Sequence, residues 1–426
     1  MKGMLDIKFI RENKDQVKKA VVDKQLSETV DIDKLLELDG LYKALLQQVE
    51  THRALKNKLS AGISKIEGDK RDDLIKEATA VKGELSKKEE ELTKLKTQIG
   101  EMMLWVPNIP AEDVPFGKDE EGNQVVREEG KKPKFKFTPK EHFEIGTDLG
   151  ILDLERGTKI AGFRGYFLKG DAVKLHRAIL QYALDVIESK DFEIFEIPWM
   201  VRPEYFEGTG YFPWGTDDHY QVQDDMALIG TAEVSLTSYH AGETLKEEDL
   251  PIKLAGISPC YRREIGSHGK DTKGVFRVHQ FEKVEQVILL PQGEALSREW
   301  HEKMLSYSEE VLKGLGLAYQ VLLMCTGDMG AGQRKKYDIE TWFPAQEKYR
   351  ETHSDSYFLD YQARRLNMRY KTKDGETKYV YTINNTVAAS PRLLAAVIEN
   401  YQQKDGSVKV PKVLRKYVGK KVIKLT

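Results

Sequence analysis

The chain has 426 residues, ample for one large catalytic domain and an accessory one. Its formal charge of −2 excludes a strongly basic protein, so any nucleic-acid binding must come from a local surface. The only two cysteines, Cys260 and Cys325, exclude a disulfide framework and a cysteine-built metal site, which suits a reducing cytosol.

The N-terminal stretch MKGMLDIKFIRENKD is charged throughout and has no apolar signal core. No apolar run reaches the length needed to cross a bilayer, so a soluble, cytoplasmic protein with no membrane partner is expected. Residues up to about Asp31 read as a short helical cap, with Ile7, Ile10 and Val17 as its apolar points. Two long segments follow. Leu38, Leu41, Leu45, Val49, Leu55, Leu59 and Ile63 mark the first, with His52 at a seam position. Leu74, Ala78, Val81, Leu85, Leu92, Leu95, Ile99 and Met102 mark the second, with Lys88 the one lapse. Spacings of threes and fours make a heptad seam. Glu67, Gly68 and Asp69 supply a turn, which predicts an antiparallel helical hairpin. At ~1.5 Å per residue, arms of roughly thirty residues extend roughly 45 Å. Taken alone, such a hairpin reads first as a generic dimerisation coiled coil, and its mixed Lys/Glu surface as a solvated face.

Pro107, Asn108, Ile109 and Pro110 stop the second helix. The next residues, to about Lys140, are rich in Gly, Lys, Glu and Pro and read as a linker. From His142 the composition becomes that of a globular α/β chain. Asp171 to Ser189 has helical apolar spacing, and FEIFEIPWM follows as a strand ending at Pro198. EGTGYFP, from Glu207 to Pro213, is a glycine-bearing loop, and MALIGTAEVS runs from Met226 to Ser235.

The most informative stretch is Cys260 to Glu285, CYRREIGSHGKDTKGVFRVHQFEKVE. Arg262 and Glu264, two apart, leave one face of a strand. Across a loop from Gly266 to Gly274, Val275, Arg277, His279, Phe281, Lys283 and Glu285 share one face of a second strand. A solvated sheet with cross-strand ion pairs would give such a pattern. So would a nucleotide site, where arginine holds phosphate, a ring stacks on a base and carboxylates accept N–H groups. The run resembles motif 2 of class II aminoacyl-tRNA synthetases, in the version carried by seryl-tRNA synthetases.

That resemblance extends in both directions. The Asp171–Pro198 region is similar to motif 1, whose role in the family is the dimer interface. Trp300 to Leu312 is an amphipathic helix with Gly314 just past its end, and Tyr337 to Gln346 a buried strand. Glu351, Thr352, His353 and Ser354 precede YFLDYQARR, which is similar to the family. There Asp355, Ser356 and Tyr357 stand where Cys-Ser-Asn is usual. TINNTVAASPRLLAAVIENYQ, from Thr382 to Gln402, resembles motif 3, with Ala395 to Gln402 as its helix. Asn384-Asn385-Thr386 is closer to the Asn-Ala-Thr form of eukaryotic members than to the bacterial Asn-Gly-Ser. Pro391 stands where glycine or a small polar residue is common, and it pushes Ser390 toward extended geometry. The tail from Asp405 to Gly419 also matches the family ending.

What the resemblance implies is specific. The fold would be α+β, a class II antiparallel β-sheet flanked by helices and preceded by the N-terminal hairpin. Residues 1–110 would be the tRNA-binding arm, 111–140 a linker and 141–426 the catalytic domain. The enzyme would activate L-serine with ATP to seryl-adenylate and transfer serine to the 3′ end of tRNA(Ser), with tRNA(Sec) open as a second substrate, as a homodimer. Arg262 and Arg392 would be the catalytic arginines. Thr231, Glu233, Arg262, Glu285 and Thr386 would hold serine. ATP would meet Arg262, Glu264, Val278, Phe281, Glu351, Thr352, His353, Ser354 and Arg392, with Phe281 and Arg392 on either side of the base. Glu351 and Ser354 would meet Mg2+ brought by the nucleotide.

The sequence lacks a P-loop: GSHGKD has neither the spacing nor the Ser/Thr. It also lacks HExxH and paired CxxC, and no protein nucleophile is evident, which suits a reaction whose nucleophile is the substrate's own carboxylate. Two other classes stay open: a relative that loads a carrier other than tRNA, and a silent homologue that only binds. The arm speaks against the first, and Arg262, Glu264, Glu285, Glu351 and Arg392 against the second.

Overall fold

A computed structural model describes residues 6–265, 271 and 273–425. Gly266, Ser267, His268, Gly269, Lys270 and Thr272 of the central motif 2 loop lie outside the described residues. The chain forms two compact units, Met1–Pro107 and Asn108–Thr426.

In the first unit, α1 (Ile7–Glu12) and α2 (Lys14–Asp23) precede the long helices α3 (Ile32–Ile63) and α4 (Asp69–Trp105). Asp31 caps α3 by accepting the Lys34 N–H. Gly68, at φ 78°, takes the left-handed conformation that admits the turn into α4. Leu38, Leu45, Val49 and Leu59 of α3 are buried with Val81, Leu85 and Ile99 of α4, as the heptad spacing predicts. Leu41 and Leu55 are not: they stay 51% and 38% exposed. Asp39 is buried instead, because Arg11 of α1 and Lys43 reach its carboxylate at 2.8 and 3.1 Å. Lys88, the lapse in the seam, donates across the hairpin to Gln48 at 2.6 Å. His52 lies 3.3 Å from Glu84, and Arg53 pairs with Glu89 at 2.7 Å. Such exposed pairs fix register more than they add stability.

The second unit is built on eight strands: β1 (Gln124–Glu129), β2 (Glu193–Glu196), β3 (Ile252–Tyr261), β4 (Gln280–Leu290), β5 (Tyr319–Leu323), β6 (Lys335–Phe343), β7 (Lys348–Leu359) and β8 (Tyr381–Ser390). Their order is β1-β5-β6-β7-β8-β4-β3-β2, and every pairing is antiparallel except β2 with β3. This is the α+β architecture expected. Segment 111–140 differs from its expected role, since it contributes edge strand β1 rather than only connecting. An edge strand exposed along both faces carries no apolar alternation, so QVVREE gave no strand signal.

Helices α5 (Asp171–Glu188), α6 (Glu294–Leu315) and α7 (Arg392–Asn400) supply the apolar layer over one face of the sheet. Leu175, Ile179, Leu305, Leu312 and Leu394 pack there with Val284, Ile288 and Ile383 of the strands. Helix α6 runs past Gly314 and ends at Gly316, in the left-handed conformation. Helix α7 starts at Arg392, three residues before the expected Ala395. Val408, Val410, Leu414 and Val418 bury the tail in the same core.

Strand β4 divides its two faces cleanly. Val284, Ile288 and Leu290 enter the helix-covered core, while Val287 and Leu289 enter a second cluster with Phe206, Ile229 and Met368. Further along that second face come Glu285, Lys283 and Phe281, which line a cleft instead. In β8, Glu285 pairs with Thr386 but Val284 pairs with Ala388, so Val387 is an inserted bulge residue. A second bulge leaves Thr352 unpaired between His353 and Glu351 in β7. Among the described residues no helix is long and apolar enough to cross a membrane.

Candidate active site

The cleft over β4, β7 and β8 holds about 230 Å³. Its walls include Glu233, Arg262, Glu264, Val278, Phe281, Glu285, Glu351, Thr352, His353, Ser354, Thr386 and Arg392. Thr231 is the one expected site residue not on a wall. Its hydroxyl is buried behind Lys283, whose Nζ donates to it at 2.7 Å.

The route by which Arg262 and Glu264 arrive differs from a continuous strand. The ladder of β3 stops at Tyr261, and Arg262 N–H donates to the His279 carbonyl at 2.9 Å. Glu264 has φ 55°, so the period-two rule fails between the two residues. Arg262 donates from Nε to the Gly230 carbonyl at 3.1 Å, and its guanidinium lies 5.2 Å from the Phe281 ring centre. Glu264 accepts from Arg277 at 2.6 Å, with Arg164 at 4.0 Å. Arg392 lies 4.8 Å from the ring of Phe276, not Phe281, and pairs with Glu351 at 3.2 Å.

At one end of the cleft the carboxylates are buried. Glu285 is ion-paired with Lys283 and accepts from the Thr386 hydroxyl at 3.3 Å. Glu233 accepts from Tyr211 on one oxygen and from Gln362 at 2.7 Å on the other. Burial pushes its carboxyl up to about 7, with the Glu285 charge adding to the effect and the two hydrogen bonds opposing it. Burial likewise raises the Tyr211 phenol well above its ordinary value, so it serves as a donor. At the other end, desolvation opposes ionisation of Glu351. Arg392, Lys336 and Arg262 outweigh it and hold the carboxyl at about 2.

Thr352 and His353 border the cleft with their side chains committed inward. Thr352 Oγ1 lies 2.8 Å from both Thr341 Oγ1 and His353 Nδ1, and burial holds the imidazole neutral, at about 4. Among the described residues no three His, Cys, Asp or Glu side chains form a metal-ligating group. Glu351 and Ser354 on the cleft wall offer an ionised carboxylate and a hydroxyl, the oxygen donors that magnesium takes.

Sequence reasoning passed over Lys283, Tyr211, Phe276 and Lys336, all on the cleft wall. Lys283 carried a usable signal, since it alternates with Phe281 and Glu285. Phe276 and Lys336 carried none, because an irregular turn and a distant strand deliver them.

The turn that delivers Phe276 is held from outside the cleft. His142 accepts the Val275 N–H on Nε2 at 3.1 Å and therefore donates from Nδ1 to Glu399, at 2.8 Å. Gly274 has φ 72°, and a Cβ there would meet that imidazole at 2.2 Å. Gly274→Ala should lower the thermal midpoint by several degrees and weaken ATP binding, because strain and clash fall together. Thermal unfolding with and without nucleotide checks both.

Residues 216–401 match the family described as the tRNA synthetase class II core domain (G, H, P, S and T), and residues 4–110 the seryl-tRNA synthetase N-terminal domain. A serine--tRNA ligase from Deinococcus radiodurans is 43% identical, with 98% of each chain covered. One from Elusimicrobium minutum is 41% identical, covering 99% of this chain and all of the other. The crystal structure of seryl-tRNA synthetase from Pyrococcus horikoshii complexed with ATP superposes with TM-score 0.92 at 39% identity, over 99% of this chain and 100% of that one. That of the cytoplasmic serine-tRNA ligase from Naegleria fowleri in complex with AMP gives 0.87 at 32% identity, over 99% of each.

Proposed function

Since the chain belongs to the seryl-tRNA synthetase family, we propose that it activates L-serine with ATP and transfers it to the 3′ end of tRNA(Ser) in the cytoplasm. The observation that carries this reading is one cleft lined by the buried carboxylates Glu233 and Glu285 and the Thr386 hydroxyl at one end and by Glu351 and Arg392 at the other, with Arg262 on its wall. A serine carboxylate oxygen attacks the α-phosphorus of ATP. The bond to the bridging oxygen breaks, pyrophosphate leaves, and seryl-adenylate remains. A ribose hydroxyl at the tRNA 3′ end then attacks the seryl carbonyl and releases AMP. No protein nucleophile is needed; positioning and charge neutralisation do the chemistry.

In this reading Arg262 meets the negative charge that develops on the α-phosphate. Phe281 and Arg392 flank the adenine, and Phe276 and Glu351 steady Arg392. Glu264, oriented by Arg277, and the backbone near Val278 read the adenine edge. Glu351 and Ser354, with Thr352 and His353 behind them, face the triphosphate. Magnesium brought by ATP would be held there and would neutralise phosphate charge. Glu233, Glu285 and Thr386 grip serine's ammonium and hydroxyl, and Thr231 acts through Lys283. A pocket built for a hydroxyl rejects alanine strongly, because its buried polar groups would go unpaired, while threonine must be refused by size.

The arm is the tRNA-binding element of this reading, and tRNA(Sec), which shares the reacting 3′ end, is a second candidate substrate. The exposed apolar residues Ile194, Trp199 and Met200, on and beside β2, support a homodimer through the motif 1 region.

Serine-dependent ATP–pyrophosphate exchange, with alanine and threonine as controls, tests the first step, and charging of total tRNA the second. Exchange without charging would point to a carrier-loading relative, and no exchange to a binding protein. Glu233 adds a pH signature. Its carboxylate form attracts the serine ammonium, so protonation below about 7 removes that attraction. The KM for serine should rise several-fold between pH 7.5 and 6, with a flatter profile in Glu233→Gln.

A further inference from the structure

Segment 131–140, KKPKFKFTPK, follows β1 and carries five lysines in ten residues of a chain whose formal charge is −2. It has period-two character. Lys132, Lys134, Lys136 and Lys140 are exposed, as is Lys131, while Pro133, Phe135, Phe137 and Pro139 are half-buried. The Phe135 and Phe137 rings lie 5.1 Å apart. Half-buried rings and prolines thus alternate with exposed lysines, and the two prolines stiffen the segment.

Two of those lysines are already engaged. Lys132 Nζ lies 4.1 Å from the Trp342 ring centre and 4.5 Å from that of Tyr349, and Lys140 pairs with Asp148 at 2.7 Å. Lys131, Lys134 and Lys136 form no ion pair with any described residue. Glu129, two residues before Lys131, is exposed, and the other acids beside the strip are engaged elsewhere. Glu128 accepts from Tyr349 at 3.2 Å, and Glu141 and Glu144 close a capping box at the start of the next helix.

The strip ends at the cleft. Glu141 accepts from Gln346 at 3.2 Å, and Gln346 accepts from Arg350 at 2.6 Å. Arg350 lies 4.2 Å from the Phe276 ring, which lines the cleft, and His142 holds the Val275 N–H. These contacts link Glu141, at the end of the strip, to Phe276 on the cleft wall.

We propose that Lys131, Lys134 and Lys136 form a contact strip for the phosphodiester backbone of the RNA substrate beside the mouth of the cleft. The proposal rests on the reading that this substrate is tRNA. Lysines act on phosphate as point charges without reading sequence, so the strip positions RNA and does not select it. A membrane surface is less well matched, because Phe135 and Phe137 are half-buried and offer no fully exposed apolar side to insert.

The test is the triple variant Lys131→Glu/Lys134→Glu/Lys136→Glu in the full chain, beside a control with Lys371→Glu/Lys404→Glu. Pyrophosphate exchange should match the unmodified protein, since it needs no RNA. The KM for tRNA in charging should rise about tenfold or more, and the salt slope of tRNA binding, read by filter retention, should fall by about 2. Unchanged tRNA binding and salt slope would overturn the proposal, as would an equal loss in the control. Loss of phosphatidylserine-vesicle binding with tRNA binding intact would assign the strip to membranes and overturn it too. If the unmodified protein fails in exchange, the activity reading fails; retention of tRNA by the two proteins then still decides the strip.

Discussion

Glu285→Gln is expected to lower kcat/KM for serine in pyrophosphate exchange by about 10³-fold, roughly 4 kcal/mol of transition-state stabilisation. Glu285 is 2% exposed, ion-paired with Lys283 and hydrogen-bonded by Thr386, so its charge is spent inside the cleft. The amide keeps shape and volume while removing the charge and one acceptor. Glu285→Ala should lose as much activity and also destabilise the fold, because it strands the buried Lys283 ammonium at a cost of about 3–5 kcal/mol. Comparing the two separates site chemistry from stability. Ordinary exchange in a folded Glu285→Gln protein would remove this end of the cleft from serine recognition.

The second large effect is expected at Arg262. Arg262→Lys keeps a positive charge but loses the planar fork, so adenylate formation should slow by about 10³-fold while ATP affinity changes little. Arg262 is already committed through Nε to the Gly230 carbonyl, which fixes the remaining guanidinium nitrogens relative to Phe281. A lysine has no such second handle. Single-turnover measurement of adenylate formation distinguishes this from a binding defect: a raised KM for ATP with an unchanged rate would assign Arg262 to ground-state binding.

Much of this cleft was legible because one stretch concentrates it. The alternation of Phe281, Lys283 and Glu285 is a strand rule, and β4 obeys it from Gln280 onward. The same rule misled at Arg262 and Glu264, where the chain leaves the ladder and Glu264 turns to φ 55°. Thr231 was placed against serine by resemblance, yet its hydroxyl lies behind Lys283, a layering that no linear spacing encodes. Strand β1 was missed because pairing at an edge is made by backbone groups, which side-chain pattern does not report. In the arm, heptad spacing found the seam but not Asp39, whose burial depends on Arg11, 28 residues away.

The bulge at Val387 bears on how this strand tolerates changes in length. Before it, Asn384 and Thr386 face the cleft; after it, Ala389 does, opposite Lys283. A chain one residue shorter at that point would carry Thr386 and Ala389 two positions apart, still opposite Glu285 and Lys283. The ladder would run straight through, and Arg392 would still begin its helix beyond Pro391. Register here thus survives a single-residue deletion that would flip every side chain in an unbulged strand. What would go is the bend at the insertion.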